Sequence, residues 1–342
     1  MPFTRDPNNM NGLIEWTDEI NRIDRQFQIF DDRLFDLKGS TQTAVLFDVN
    51  ETETVLLPAV SRQPKGSTYG KENLVRTYSL PLAYFKHSEY ITQEDLQGVR
   101  RHGTPDGVET LDLVRAEKLE KLRRQFDQTA EYMKLQAVKG ITKSPDGTVF
   151  ADMFTEFGVT QDSIDFVLGT STTDVAAKIR EVRRLLKTNL QNGGFVNGIE
   201  IFVDPLFFDK LISHDTVKEA YKYYSATNQR GSVQPLRDDL NDRFTYGGVT
   251  FISLDGSFKT GPSTTEQLIA DDTGHVVPNT PGLFRGWFGP SNKMELANRS
   301  GSDMFAWEYR DPKGEFHEIQ MESAPLFICT RPKALIEVTT SN

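Results

Sequence analysis

The apolar positions of this chain change period several times, and each change marks an element. In "TDEINRIDRQFQIFDDRLFDLKGS", Ile20, Ile23, Phe27 and Phe30 step by 3, 4 and 3, which predicts a short helix inside a polar, acidic opening segment. A segment so poor in core candidates does not stabilise itself, so it is expected to pack on the body or on a neighbour. From Val45 to Tyr90 the pattern turns extended: "TAVLFDV" and "ETVLLPAV" are rich in β-branched and apolar residues, and "NLVRTYSLPLAYF" is a second extended run. Between them lies "RQPKGSTYGKE", a tip of Gly, Pro, Lys and Ser. A plain hairpin needs only about two to five loop residues, so this one is long and projecting. It reads either as a flexible surface loop or as an arm that reaches a partner.

The pattern then becomes helical. "TPDGVETLDLVRAEKLEKLRRQFDQTAEYMKLQAVKG" opens on Thr104 and Pro105 and stops at Gly140. Leu119, Leu122, Phe126, Ala130, Met133 and Ala137 step by 3, 4, 4, 3 and 4, which gives one apolar stripe. Glu117 with Lys121, and Glu120 with Arg124, stand at i,i+4 in the favourable order. About thirty helical residues reach about 45 Å, the length of a coiled-coil helix or of a strut across a flat molecule. A turn at Pro145–Gly147 leads to a strand candidate. A second amphipathic helix follows, with its cap among Ser171–Asp174 and with Val175, Ile179, Val182, Leu186 and Leu190 on one face. "NGIEIFVDP" reads as a buried strand from Ile199 to Val203 stopped by Asp204-Pro205, and "RFTYGGVTFISLDGSF" as a hairpin turning at Gly247-Gly248. "DMFAWEYRDPKGEFHEIQMESAPLFICT" reads as two antiparallel strands joined at Asp311–Gly314 and a further extended run. Helix, strand and helix followed by strand pairs make an α+β body. No repeat of solenoid or propeller period is present.

Composition narrows the function. With 342 residues, 37% hydrophobic and 26% charged, the chain is globular and can bury a sizeable core. A net charge of -10 argues against gripping nucleic acid as the main task, because that needs a positive surface. No apolar run approaches the length that spans a bilayer, and the opening residues lack a secretory layout, so a cytosolic protein is expected. Cys329 stands alone, which excludes an intramolecular disulfide and a multi-cysteine metal site; in its apolar run it reads as a buried, inert thiol.

Candidate chemistry is sparse. Asp272-Thr273-Gly274 matches the triplet of aspartic proteases, which work with two carboxylates; a single copy would require a symmetric dimer, and a surface turn is the alternative. His87, His102, His214, His275 and His317 make no metal-ligand spacing. Phosphate-cradling loops and nucleophile elbows are absent from the sequence. The basic pairs Arg100-Arg101, Arg123-Arg124 and Arg183-Arg184 read as solvated helix faces. The parts therefore suit a protein whose task is to make contacts.

That order of parts resembles the major capsid protein of lambda-like tailed phages, the family of the lambda head protein. "FHEIQMESAPLFICTRPKALIEV" is similar to the family's C-terminal strand, with its S-A-P-L core at Ser323, Ala324, Pro325 and Leu326. "IEIFVDPLFFDKLISHDTVKEAYKYY" resembles its strand ending in Asp-Pro and its V-K-E helix, here Val217-Lys218-Glu219, and "LLPAVSRQPKGS" resembles its extended hairpin. The resemblance implies the Hong-Kong-97-type capsid fold. The division it implies is an N-terminal arm over 1–44, an extended loop over 45–95 and a peripheral domain over 96–170 with a spine helix over 106–139. An axial domain over 171–298 and a return to the peripheral domain over 299–342 complete it. It implies a subunit that assembles with itself into hexamers and pentamers of an icosahedral shell in the host cytoplasm. Scaffolding and portal proteins are expected partners, a decoration protein an optional one, and packaged DNA only a weak, non-specific neighbour. No catalytic residue, cofactor or metal is expected. The loop tip is expected to cross onto a neighbouring subunit through Arg62, Lys65, Tyr69, Lys71 and Glu72. The rival readings are a dimeric aspartic protease using Asp272 and another virion part, such as a tail or decoration protein.

Overall fold

The computed structural model describes residues 13–23, 28–30, 34–50, 75–97, 110–190, 196–219, 243–261, 263–296 and 298–341. The chain forms two compact units. The first takes Met1–Val45, Leu80–Lys134 and Arg285–Phe327; the second takes Leu46–Ser79, Leu135–Phe284 and Ile328–Asn342.

The first unit holds a four-stranded antiparallel sheet in the order Leu13–Glu15, Phe305–Arg310, Phe316–Ser323, Phe85–Thr92. Its two central strands are joined where the sequence places the turn. Gly314 N–H donates to the Asp311 carbonyl at 2.9 Å, and Gly314 takes a φ of 76°, which a side chain would resist. One sheet face carries Ala306, Ile319, Met321 and Ile91. It packs on Val114, Leu119, Leu122 and Phe126 of the long helix, with Trp16 and Ile20 completing the core. The other face buries Phe305 and Trp307 against Leu296, the two rings stacked 5.8 Å apart.

The long helix runs Leu111–Val138. Leu119, Leu122, Phe126, Met133 and Ala137 of the stripe are buried, and Ala130 is half-buried. The remaining faces depart from the expectation that their charges meet solvent. Arg115, Arg123, Asp127, Glu131 and Lys134 are buried as well. The reason is that protein covers more than the apolar stripe, and each buried charge meets an opposite one. Arg123 pairs with Asp127 and with Asp303, both at 3.2 Å, so of the Arg123-Arg124 pair only Arg124 is a solvated residue. Lys121 pairs with Glu89 of the sheet rather than with Glu117.

The second unit holds a six-stranded mixed sheet in the order Arg243–Tyr246, Val249–Ser253, Ile199–Val203, Thr273–Pro278, Ile336–Thr339, Asp162–Asp165. The pairs Val249–Ser253 with Ile199–Val203 and Ile336–Thr339 with Asp162–Asp165 are parallel; the rest are antiparallel. Local chemistry sets the element ends. Asp204 caps the helix Pro205–Ser213 by accepting from Leu206 N–H at 3.0 Å, and Pro205 fills the first helical turn, where its missing N–H costs nothing. Gly247 and Gly248 both have positive φ, 61° and 78°, as a tight two-residue hairpin turn requires. The helix Val175–Asn189 is capped by Asp174 and buries Val175, Ile179, Val182 and Leu186, and Leu190 beyond its end is buried too. Phe166 stands edge-on to Phe207 and to Phe251, at centroid distances of 5.7 and 6.2 Å, which joins helix to sheet.

The closing stretch is divided among sheets. Met321–Ser323 ends a strand of the first sheet. Pro325–Cys329 belongs to a three-stranded sheet with Phe284–Phe288 and Phe35–Gly39, and Ile336–Thr339 lies inside the six-stranded sheet.

Candidate assembly site

The stem of the predicted hairpin is present: Ala44–Asn50 pairs with Val75–Pro81, and Leu82 N–H donates to the Thr43 carbonyl at 3.0 Å. The stem is fastened at Tyr78. Its ring stacks on Phe157 at 5.1 Å and its hydroxyl donates to the Glu156 carbonyl at 3.1 Å. Both contacts lie at the end of the short helix Met153–Phe157, which Asp152 caps and Gly158 ends in the left-handed region. The tip residues Arg62, Lys65, Tyr69, Lys71 and Glu72 lie outside the described residues.

The opening segment is held by two buried carboxylates. Glu308 is fully buried in the four-stranded sheet. It receives Arg115 at 2.8 Å, the Trp16 indole N–H at 3.2 Å and His317 Nδ1 at 2.6 Å. The Arg115 guanidinium also lies over the Trp16 ring, 5.2 Å from its centroid. Burial alone would raise the Glu308 carboxyl, but the hydrogen bonds from His317 and Arg115 and their charges outweigh it and hold it below the ordinary carboxylate range. The second anchor is Glu131 on the long helix. One oxygen accepts from the backbone N–H of Ile29 at 2.9 Å and of Phe30 at 3.1 Å; the other takes Lys134 at 2.6 Å. Lys134 lies over the rings of Phe35 and Phe327, 5.9 and 5.7 Å from their centroids. Sequence reading missed both anchors. The one available signal was charge in line with apolar neighbours: Glu308 shares its sheet face with Ala306.

Of the residues singled out for chemistry, Asp272 and His214 have structural partners. Asp272 occupies a turn with φ 57°, its carboxylate 2.7 Å from Lys210, its N–H donating to Asp204 and its carbonyl accepting from Thr340 N–H at 3.0 Å. Cys329 is fully buried, and burial pushes its thiol up to about 12. His214 bonds the Thr170 carbonyl at 2.9 Å and the Thr216 hydroxyl at 2.8 Å. His275 is half-buried, but its Nδ1 is sealed from solvent without a hydrogen-bond partner. Burial and the nearby Lys139 ammonium push it down to about 3. Among the described residues no group of three or more His, Cys, Asp and Glu is placed to hold a metal ion, and no helix is long and apolar enough to cross a membrane. What the described surface does offer is exposed apolar side chains, with Leu46 on the hairpin stem, Tyr84 and Tyr90 beside and on the Phe85–Thr92 strand, and Met294 almost fully exposed.

Residues 15–340 match the family described as phage major capsid protein E. The chain belongs to that family. It is 32% identical over 351 residues to the major capsid protein of Salmonella phage Felix O1 (isolate Felix O1-VT1), with 95% of each chain covered. It is 33% identical over 330 residues to the major capsid protein of Pseudomonas phage KPP10, covering 87% of this chain and 91% of that one. Among solved structures it is similar to a prophage capsid protein from E. coli CFT073, with TM-score 0.59, 13% identity, and 96% and 99% of the two chains covered. It is also similar to the capsid of cyanophage P-SCSP1u, with TM-score 0.52, 15% identity, and 93% and 89% covered. The fold is therefore the α+β Hong-Kong-97-type capsid fold. As a member of the capsid protein E family, the chain is the major capsid protein of a tailed bacteriophage. It is a virion component that assembles with itself into a multimeric shell.

Proposed function

We propose that this capsid protein builds the hexamers and pentamers of an icosahedral head, assembled in the host cytoplasm with scaffolding and portal proteins, and that it catalyses no reaction. A decoration protein is an optional further partner, and packaged DNA is a weak, non-specific neighbour. In this reading 1–44 is an arm, 45–95 the extended loop, 96–170 a peripheral domain on the long helix, and 171–298 an axial domain. The chain then returns to the peripheral domain over 299–342 through the strand pair 305–323, while its last strand pairs within the six-stranded sheet. The tip residues Arg62, Lys65, Tyr69, Lys71 and Glu72 cross onto the adjacent subunit.

The observation that supports this best is the fastened stem. Tyr78 fixes the base of the hairpin on a capped helix, so a contact made at the tip is transmitted to the body instead of being absorbed at the base. Shell energy then comes from many modest interfaces repeated by symmetry. Negative-stain microscopy of the purified full chain is the test. Closed shells of uniform size are the expected result; a homogeneous monomer or dimer under all assembly conditions would overturn the reading.

A further inference from the structure

The helix Val175–Asn189 carries a feature that its packing does not use. It has five basic residues, Lys178, Arg180, Arg183, Arg184 and Lys187, against one acidic residue, Glu181, in a chain whose net charge is -10. At about 100° per residue, Val175, Ile179, Val182 and Leu186 centre on one direction and are buried. Arg180, Arg183, Arg184 and Lys187 follow at i, i+3, i+4 and i+7 and gather on another face, with Glu181 off to its far side. All four are exposed.

Their own protein satisfies only half of this stripe. Arg180 pairs with the capping Asp174 at 3.2 Å, and Arg183 donates to the Gly247 carbonyl at 3.3 Å. Lys178, outside the stripe, takes Glu181 at 3.5 Å. Arg184 and Lys187 have no carboxylate within ion-pairing distance among the described residues. The helix C-terminus favours a cation in its last turn and so accounts for Lys187 in part, but not for a four-residue stripe. Arg183 and Gly248 approach closely, with the guanidinium 3.5 Å from where a Gly248 Cβ would lie, so the hairpin turn holds one edge of the stripe in place. Four cations within about 11 Å along one helix, three of them guanidiniums, match a run of phosphates better than they match a single carboxylate.

We propose that this stripe is where the subunit meets the phosphate backbone of the packaged duplex, with Arg180, Arg184 and Lys187 facing it. The inference rests on the capsid reading and names the surface behind its weak, sequence-independent contact with DNA. Acidic surface elsewhere keeps that contact loose, because each subunit contributes a few phosphate contacts and no base readout.

The test uses unassembled full-length subunits and a random-sequence duplex, with binding followed against salt. Each neutralised phosphate contributes about 0.9 to the slope of log affinity against log salt, so Arg180→Gln/Arg184→Gln/Lys187→Gln should lower that slope by about 2 to 3. A control with the same charge change elsewhere, Lys38→Gln/Arg124→Gln/Lys313→Gln, should leave it unchanged. Equal effects of the two triples, no effect of the stripe triple, or no duplex binding by the unaltered subunit at low salt would each overturn the proposal. Microscopy of the same preparations separates the two levels. Loss of shells in the stripe variant with its duplex binding intact would reassign the stripe to a contact between copies. Absence of shells from the unaltered protein would instead count against the capsid reading.

Discussion

Glu308 and Trp16 are 292 positions apart in the chain, and the indole N–H of one donates to the carboxylate of the other at 3.2 Å. The same carboxylate carries Arg115 from the long helix and His317 from the neighbouring strand. One buried group thus joins the opening segment, the helix and both central strands of the first sheet. Removing it leaves the buried Arg115 guanidinium with only the exposed Asp112 carboxylate as a counter-ion. Glu308→Ala should cost about 3–5 kcal/mol in urea unfolding of the unassembled subunit. The double variant Arg115→Met/Glu308→Leu should recover most of that loss, because it removes both charges and keeps the volume. If it recovers nothing, the pair acts through shape rather than charge.

Acid should act on this protein in two windows. His275 has a folded value near 3 against about 6.5 when unfolded, so the folded state favours its neutral form. Its contribution to stability is full above about 6.5 and is lost as pH falls from there toward 3. Glu308 is also depressed, so its contribution is present above its unfolded value and is lost only as pH falls through its lower folded value. His275→Leu should therefore flatten stability against pH between about 6.5 and 4 while leaving the loss at stronger acid. Denaturant midpoints across that range provide the measurement.

The Asp272-Thr273-Gly274 triplet should respond to substitution in the opposite order from a catalytic one. Asp272 makes a partly exposed ion pair, so Asp272→Asn should cost at most about 1 kcal/mol. A Cβ at Gly274 would lie 2.6 Å from Val203 Cγ1 and 2.8 Å from the Phe202 carbonyl oxygen, in the middle of the six-stranded sheet. Gly274→Ala should cost about 1–3 kcal/mol or more. Thermal unfolding of the two variants ranks them, and a larger loss for Asp272→Asn would contradict the packing account.

Deleting the loop tip from Arg62 to Glu72 should leave a folded subunit and abolish shells. Circular dichroism reports the first and microscopy the second. Shells that still close would show that the tip is dispensable for assembly.

Much of the fold can be read from residue pattern because its elements are bounded by local chemistry. Asp204-Pro205 ends one strand and starts one helix, Gly247-Gly248 turns a hairpin, and Val175, Ile179, Val182 and Leu186 define a face. What pattern cannot supply is the covering of a second face. In "FAWEYR" the aromatic residues alternate with Ala306, Glu308 and Arg310, and alternation alone assigns the charged side to water. In the structure the long helix covers the Glu308 face, while Leu296 packs on Phe305 and Trp307. Arg115, Arg123, Glu131 and Lys134 were hidden for the same reason: Arg123 and Lys134 have partners on the helix itself, but the groups that cover all four, such as Glu308, Asp303, Phe30 and Phe327, are distant in sequence. The resemblance at Ser323–Leu326 located the family, yet the stretch containing it is three strands in three sheets, a division that depends on tertiary pairing rather than on local pattern.

The strand Ile336–Thr339 also imposes an order of events. It is flanked by Thr273–Val276 on one side and Asp162–Asp165 on the other, and synthesis delivers both before the strand that joins them. Until it arrives, each flanking strand has an open hydrogen-bonding edge, and the pairing that closes them is non-local and therefore slow. A nascent subunit accordingly cannot present a finished sheet to its neighbours. A chain without Ile336–Thr339 keeps both of those edges open, and an open edge is a template for pairing with the wrong strand.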